Sequence, residues 1–133
     1  AFAHGACMLT TKSIIEKAGK MTEIYFLFYE ELDWSLQISR AGYTVWYEPA
    51  STVYHKESMT IKRGSPARCY YLTRSRLLFA RRNNLRMSKL LSCLYQVMIV
   101  LPKNMLYYFF HMKWEMMTAV WRGTKRGLLD KCL

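Results

Sequence analysis

The sequence predicts an α/β domain followed by amphipathic helices, and three observations support this fold class. First, residues 2–10 look like a buried strand in which Gly5 allows close backbone approach. Segments 43–49 and 51–55 are read as short strands as well, the first of them from its β-branched and aromatic content. Second, the stretches between these segments carry helix start and stop signals. Third, a strongly basic helical pattern and a long apolar stretch follow from residue 67 onward.

The length, hydrophobic content and net charge of the chain limit the kinds of domain and partner it can have. The 133 residues suffice for one small domain with a core, and a hydrophobic content of 52% argues against disorder. Because the chain opens on Ala1 with neither an initiator Met nor a signal peptide, we expect a fragment of a longer protein. The net charge of +11 favours anionic partners, namely nucleic acid, phosphorylated small molecules or acidic lipid.

The four cysteines are far apart in the sequence, and none forms a C-x-x-C pair. This spacing argues against a zinc site and against a disulfide framework. Reduced thiols in a cytoplasmic setting are the better interpretation.

The first helix is predicted after the first strand, within "TTKSIIEKAGK". Ser13 and Glu16 match a capping box, although Thr11 competes for the capping position. Gly19 suits the end of this helix. We expect about two helical turns between these signals.

A second helix is predicted from about Glu30 to Ala41, ended by Gly42. Apolar residues on both of its sides indicate a helix sandwiched inside the domain. Its first turn holds a cluster of three acids, made of Glu30, Glu31 and Asp33. Acids are common there because the helix dipole stabilises negative charge. Alternatively, a helix entrance can direct a carboxylate into a cleft, where it acts as a general base.

Two short strands are predicted next, 43–49, which Pro49 stops, and 51–55, which ends at His55. A lone histidine at a strand end is commonly structural, but a neutral imidazole is also a good metal ligand if carboxylates approach it. The polar segment 56–66 indicates a mobile loop.

The rear of the chain combines cations with apolar runs. A basic helix is predicted over 67–82, and the apolar run 90–101 is interrupted at 102–104. Twelve apolar residues fall short of the roughly 20 that span a bilayer, but flanking lysines and aromatics suit a segment in the headgroup region. A solvated basic face, a membrane-surface platform and a nucleic-acid surface all remain open. The segment 121–131 is expected to be a surface feature.

The order of "GACMLTTKSIIEKAG", "YFLFYEELDWSLQISRAGY", "YEPASTVYH" and "YYLTRSRLLFARRN" resembles the C-terminal half of the catalytic domain of family 2 glycosyltransferases, closest in character to bacterial rhamnosyltransferase-like members. The resemblance covers residues 1–85 and leaves 86–133 as a basic and apolar helical tail. It implies an incomplete nucleotide-diphospho-sugar transferase domain of the GT-A type, with a mixed sheet.

The resemblance also implies roles for single residues in an inverting sugar transfer. Glu31 matches the base that deprotonates the acceptor hydroxyl, and Glu30 would support it. Asp33 and Trp34 match a D-W pair that shapes the acceptor side and holds the helix. The other matching positions are Gly5 and Ala6 in the acceptor pocket, His55 at the diphosphate and a divalent metal (Mn²⁺ or Mg²⁺), and Arg74 at the diphosphate.

The chain departs from the family where Ser75 replaces an asparagine, and where "MTE" replaces Phe-Asp-Glu before the aromatic run. The nucleotide-binding strands and the Asp-x-Asp metal motif are absent from it, so the donor-binding half would lie elsewhere.

The implied partners are a nucleotide-sugar donor and a saccharide or lipid-linked acceptor in cell-surface polysaccharide synthesis, with no nucleic acid. The implied location is the cytoplasmic face of the inner membrane. The alternative function is a non-catalytic, basic membrane-surface binding module.

Overall fold

A computed structural model describes residues 2–55 and 61–132. Its helices, in chain order, are α1 (Lys12–Ala18), α2 (Glu30–Arg40), α3 (Pro66–Asn83), α4 (Arg86–Tyr95), a π-helical segment (Gln96–Val100), α5 (Leu101–Phe110) and α6 (Trp114–Leu129). Two compact units share these helices. Unit 1 consists of Ala1–Glu23 and Tyr29–Glu57, and unit 2 consists of Ile24–Phe28 and Ser58–Leu133.

The predicted α/β class with a mixed sheet is wrong, because the described residues form helices and contain no strand. Segments 2–10, 43–49 and 51–55 lie as irregular chain held by local contacts. The Cys7 N–H donates to the His4 carbonyl, and the Ser51 N–H donates to the Glu48 carbonyl, each at 3.3 Å. A strand is defined by bonds to a neighbouring strand, so β-prone composition without such a neighbour gives no sheet.

In unit 1, α1 packs against α2. Thr11 rather than Ser13 caps α1, and Gly19 ends the helix with φ of +88°, a conformation that favours glycine. Ala18, Trp34 and Ile38 form the buried core between the two helices. This pairing fixes the orientation of α2, whose first turn carries the three acids.

In unit 2, α3 begins where the Ser65 side chain accepts a hydrogen bond from the Arg68 N–H, with Pro66 at the first helical position. α6 packs closely along α3 through small residues. A Cβ added at Gly123 would lie 2.6 Å from the Tyr70 carbonyl oxygen. The prediction that 121–131 is a surface feature is therefore wrong in part, since Gly123 and Gly127 of this segment are buried against α3.

Two arginines of α3 hold the C-terminal end of α6. The Arg74 side chain donates to the Asp130 carboxylate at 2.7 Å, and Arg81 donates to the carbonyls of Gly127 and Asp130 at 2.7 and 2.8 Å. The last carbonyls of a helix have no partner within it, so Arg81 supplies the missing donor. Arg74 and Arg81, two members of the basic pattern of α3, therefore have structural roles.

The helix continues through 102–104, where the apolar run of the sequence is interrupted. One helical rod continues from Arg86 to Phe110, through the π-helical segment into α5. Proline disrupts an α-helix because its ring clashes with the carbonyl four residues earlier. The wider π turn directly before Pro102 accommodates the ring. By length and composition alone, this rod of 25 residues could cross a membrane.

The structural units divide the chain at places other than the predicted domains, 1–85 and 86–133. Those domains were defined by function rather than by packing, and they stay a prediction. The loop predicted over 56–66 lies outside the described residues at 56–60.

Candidate functional site

The candidate site centres on the first turn of α2, where Glu30, Glu31 and Asp33 follow one another. Tyr29 precedes the helix with φ of +74° and provides no side-chain cap. Tyr29 therefore supplies no side-chain acceptor to the first N–H groups of α2, and the acids lie at the positive end of the helix dipole. The dipole offsets part of the repulsion among the three carboxylates.

The aromatic segment before this turn is held by α3, within unit 2. The Ser75 hydroxyl, fully buried, donates to the Leu27 carbonyl at 2.8 Å. The rings of Phe26 and Tyr71 pack with centroids 4.8 Å apart. Phe26 and Phe28 both have positive φ, which is rare for residues with a side chain and is retained only where the surroundings enforce it.

Glu30 has a carboxylate that is only partly solvated. Its Oε2 atom is buried and accepts no hydrogen bond from the described residues. Burial raises the pKa of Glu30 above its ordinary value of 4.5, and the neighbouring Glu31 charge raises it further, while a backbone hydrogen bond opposes the shift. This side chain retains its proton to a higher pH than an exposed glutamate does.

We expect Glu30→Gln to stabilise the protein at neutral pH relative to the native chain. When folding raises the pKa of a carboxyl, the free energy of unfolding of the protein falls as the pH rises from about 4.5 through the folded-state pKa. The advantage of the glutamine variant should therefore be smallest near pH 4 and should grow toward pH 7.5. Urea unfolding at both pH values measures it.

Glu23→Gln is the matched control for that measurement, because Glu23 is exposed. Its effect on the free energy of unfolding should be nearly independent of pH over the same interval. If the difference in free energy of unfolding between Glu30→Gln and the native protein does not grow from pH 4 to pH 7.5, the Glu30 carboxylate is not a buried, destabilising group.

Glu31 is half-buried and lies against the segment near the N-terminus of the chain. A Cβ built on Gly5 would lie 3.6 Å from Glu31 Oε1, and the Ala3 N–H donates to the Ser35 hydroxyl at 3.2 Å. Glu31 and Ser35 are four residues apart and share one face of α2. The structure thus brings Glu31 and Gly5 close together, and a side chain at position 5 would be in ordinary van der Waals contact with the Glu31 carboxylate. The acceptor-side roles of both residues stay a prediction.

His55 lies beside His4, with ring centroids 6.0 Å apart in an edge-to-face arrangement. The Ala6 N–H donates to the His4 Nδ1 atom at 3.2 Å. Among residues 2–55 and 61–132, no three His, Cys, Asp or Glu side chains come close enough together to hold a metal ion. These residues alone therefore do not complete the predicted metal site.

Asp33 and Trp34 are buried, at 2% and 8% exposure. The Trp34 indole donates to the Gly19 carbonyl at 2.9 Å and packs in the core with Ile38. Trp34 therefore holds α2 against α1. The predicted roles of Asp33 and Trp34 on the acceptor side stay predictions.

Arg74 is largely buried, and its guanidinium donates to two groups of unit 2. Its Nε donates to Asp130 at 2.7 Å, and its Nη1 donates to the Ile24 carbonyl at 3.0 Å. An arginine already bound to a carboxylate has reduced charge to offer to a diphosphate. The predicted diphosphate contact stays a prediction, and the observed role is to join α3 to the end of α6.

Sequence reasoning did not single out two residues of this neighbourhood, His4 and Ser35. Both are placed by contacts between distant parts of unit 1, which no local pattern encodes. The one signal in the sequence was the position of His4 directly before Gly5, inside a segment already linked to the site.

Comparison with known proteins gives one informative similarity. Over 43 residues, the chain is 33% identical to the low-salt glycan biosynthesis hexosyltransferase Agl10 of Haloferax volcanii. The matched stretch covers 32% of this chain and 14% of the relative. No family model matches the chain, and no solved structure matches it. The similarity supports a relationship to glycosyltransferases in general and does not extend to a particular family or mechanism.

Proposed function

We propose that this chain is part of a glycosyltransferase of family 2, of the rhamnosyltransferase-like kind, and that it contributes the acceptor side of the active site. The observation that carries the proposal is the partial similarity to a hexosyltransferase. The proximity of the Glu31 carboxylate to Gly5 also supports it, because a Cβ at position 5 would lie 3.6 Å from Glu31 Oε1.

The proposed reaction transfers a sugar from a nucleotide-sugar donor to a hydroxyl of a saccharide or lipid-linked acceptor. Glu31 takes the proton of that hydroxyl as the acceptor oxygen bonds to the anomeric carbon. The bond between this carbon and the diphosphate oxygen breaks at the same time, so the configuration at the carbon inverts. A base within hydrogen-bond reach of the hydroxyl accelerates such a step.

Other residues have proposed supporting roles. Glu30 lies next to Glu31 in the same turn, and its raised pKa reflects the burial of this turn. Gly5 and Ala6 line the acceptor's approach because their small side chains leave room. Asp33 and Trp34 keep α2 in place, since both are buried.

A divalent cation, Mn²⁺ or Mg²⁺, is part of the proposal for the full-length protein. Of the described residues, His55 is the candidate ligand, and its observed ring neighbour is His4. The remaining ligands and the residues that bind the nucleotide would come from outside this chain. When bound, the metal would offset the charge of the departing diphosphate.

The test is to incubate the full-length protein with a panel of nucleotide sugars and with saccharide or lipid-linked acceptors. Release of nucleoside diphosphate and an inverted anomeric configuration, read by NMR of the product, are expected. Retention of configuration refutes the mechanism. Absence of turnover with every donor refutes the transferase assignment and favours the alternative, a non-catalytic membrane-surface module.

A further inference from the structure

The helical rod Arg86–Phe110 exposes an apolar stripe along one side, with exposed Pro102 and Lys103 near its middle. The exposed apolar side chains of the stripe form two groups, 90–99 and 106–110, and they are Leu90, Leu91, Leu94, Tyr95, Met98, Ile99, Leu106, Tyr107, Phe109 and Phe110. Within the described residues, no part of the rod's most apolar window is buried. An exposed apolar patch this long is uncommon in a water-facing monomer and marks an interaction surface.

The opposite side of the same rod faces the rest of unit 2 and carries the rod's uncharged polar residues among apolar ones. The Asn84 amide donates to the Ser92 hydroxyl at 2.8 Å, and Tyr108 shares a hydrogen bond with the Cys69 thiol of α3 at 3.3 Å. Gln96 and Asn104 line a small cavity together with Val100 and Leu101 of the rod and with Thr73, Arg76, Leu77, Val120 and Thr124 of α3 and α6. A water-exposed helix directs its polar residues outward. On this rod the outward side is mostly apolar instead, as expected of a helix whose outer side contacts lipid.

The charge of unit 2 indicates which surface would receive the stripe. Residues 61–133 carry fifteen Lys and Arg against two acids, Glu115 and Asp130, and Asp130 is paired with Arg74. Exposed Lys89 and Lys113 flank the rod at its two ends. Lys and Arg beside an apolar helix attract it to anionic lipid headgroups.

The orientation follows from what the rod is packed against. α5 contacts α6, and α4 contacts α3, so the rod lies side-on against two helices that carry exposed cations such as Arg122 and Lys125. If the rod crossed the bilayer in this packing, those cations would enter the hydrocarbon, which is strongly unfavourable. Lys103, exposed in the middle of the stripe, can extend its amine to the headgroups only if the rod lies near the surface.

From these observations we propose that the stripe of Arg86–Phe110 is embedded in the plane of an anionic membrane surface, with α3 and α6 above it. This inference does not depend on the proposed transferase activity. It holds or fails on lipid binding alone, so the two can be tested separately.

The test compares binding of the full-length protein to vesicles of phosphatidylcholine with 30% phosphatidylglycerol. The double variant Leu94→Glu/Met98→Glu changes two side chains that are 47% and 66% exposed, so its far-UV circular dichroism and melting temperature should be unchanged. Its vesicle partition coefficient should fall by about 100-fold, since the burial of each apolar side chain corresponds to roughly a tenfold change.

The matched control is Leu9→Glu/Met21→Glu, which introduces the same charge at an exposed leucine and methionine of unit 1. It should bind nearly as well as the native protein. Equal loss in both double variants, or unchanged binding in Leu94→Glu/Met98→Glu, overturns the proposal. So does a concentration-dependent dimer that binds no vesicles, because a second copy would then cover the stripe.

Orientation is read from single cysteines at Ser88 and His111, both exposed near the ends of the rod, in a background without the native cysteines. An in-plane rod leaves both positions reactive toward a membrane-impermeant maleimide added outside the vesicles. Protection of one end alone would mean that the rod spans the bilayer, and it overturns the in-plane orientation.

Discussion

Replacement of Glu31 by glutamine in the full-length protein is expected to lower turnover by about 10²- to 10⁴-fold while leaving donor affinity nearly unchanged. The amide has the shape of the carboxylate but does not accept a proton at neutral pH. The carboxylate of Glu31 lies beside Gly5 at the edge of α2, on the proposed acceptor side, so the change should not disturb donor contacts. Initial rates of diphosphate release and donor binding by calorimetry measure the two effects.

Two comparisons make this result interpretable. Glu23→Gln removes an exposed carboxylate elsewhere in unit 1 and should leave turnover unchanged. Glu30→Gln distinguishes the contribution of Glu30 to turnover from that of its neighbour Glu31. Glu30 is the natural second candidate for the base, because burial raises its pKa. Near-normal turnover in Glu31→Gln together with a collapse in Glu30→Gln would transfer the role of base to Glu30.

The double variant Gly123→Ala/Gly127→Ala is expected to destabilise the protein, although alanine favours a helix over glycine. The added Cβ atoms would lie 2.6 Å from the Tyr70 carbonyl oxygen and 2.9 Å from that of Arg74. Backbone atoms of α3 cannot move aside without separating the helices. Overpacking of about 3 kcal/mol at each site exceeds the helix-propensity gain of roughly 1 kcal/mol. The net loss should be about 2 kcal/mol per site.

Denaturant unfolding monitored by circular dichroism measures that loss. Ser88→Ala is the control, because Ser88 is exposed on α4 and its replacement should change stability little. A double variant as stable as the native protein, or more stable, contradicts the close approach of α3 and α6.

Local signals in the sequence located the helices well. The caps and glycines placed α1 and α2 within a residue or two, and Gly19 and Gly42 have the positive φ that a helix end requires. α3 was predicted over 67–82 and extends over Pro66–Asn83. Each of these features depends on residues a few positions apart, which is the range in which sequence patterns are informative.

Features that depend on distant partners were predicted poorly. Residues 43–49 have the composition of a strand, yet no neighbouring strand pairs with them among the described residues. The glycines of α6 were interpreted as signs of a surface segment, because a close approach becomes visible only with α3 in place. Within the candidate site, the proximity of Gly5 to Glu31 and that of His4 to His55 each join residues far apart in the sequence, and no local pattern indicates either.

The wide turn at Gln96–Val100 carries a consequence for insertions and deletions. It accommodates one more residue than an α turn, and this extra residue keeps Leu94 and Leu106 on the same side of the rod. Deleting a single residue there would restore regular α geometry and leave the downstream side chains facing almost the same way, because the wide turn already absorbs that residue. Inserting a residue would instead rotate everything downstream by roughly 100°. Leu106 and Phe110 would then leave the exposed side that they share with Leu94. An insertion in this turn should therefore be more harmful than a deletion.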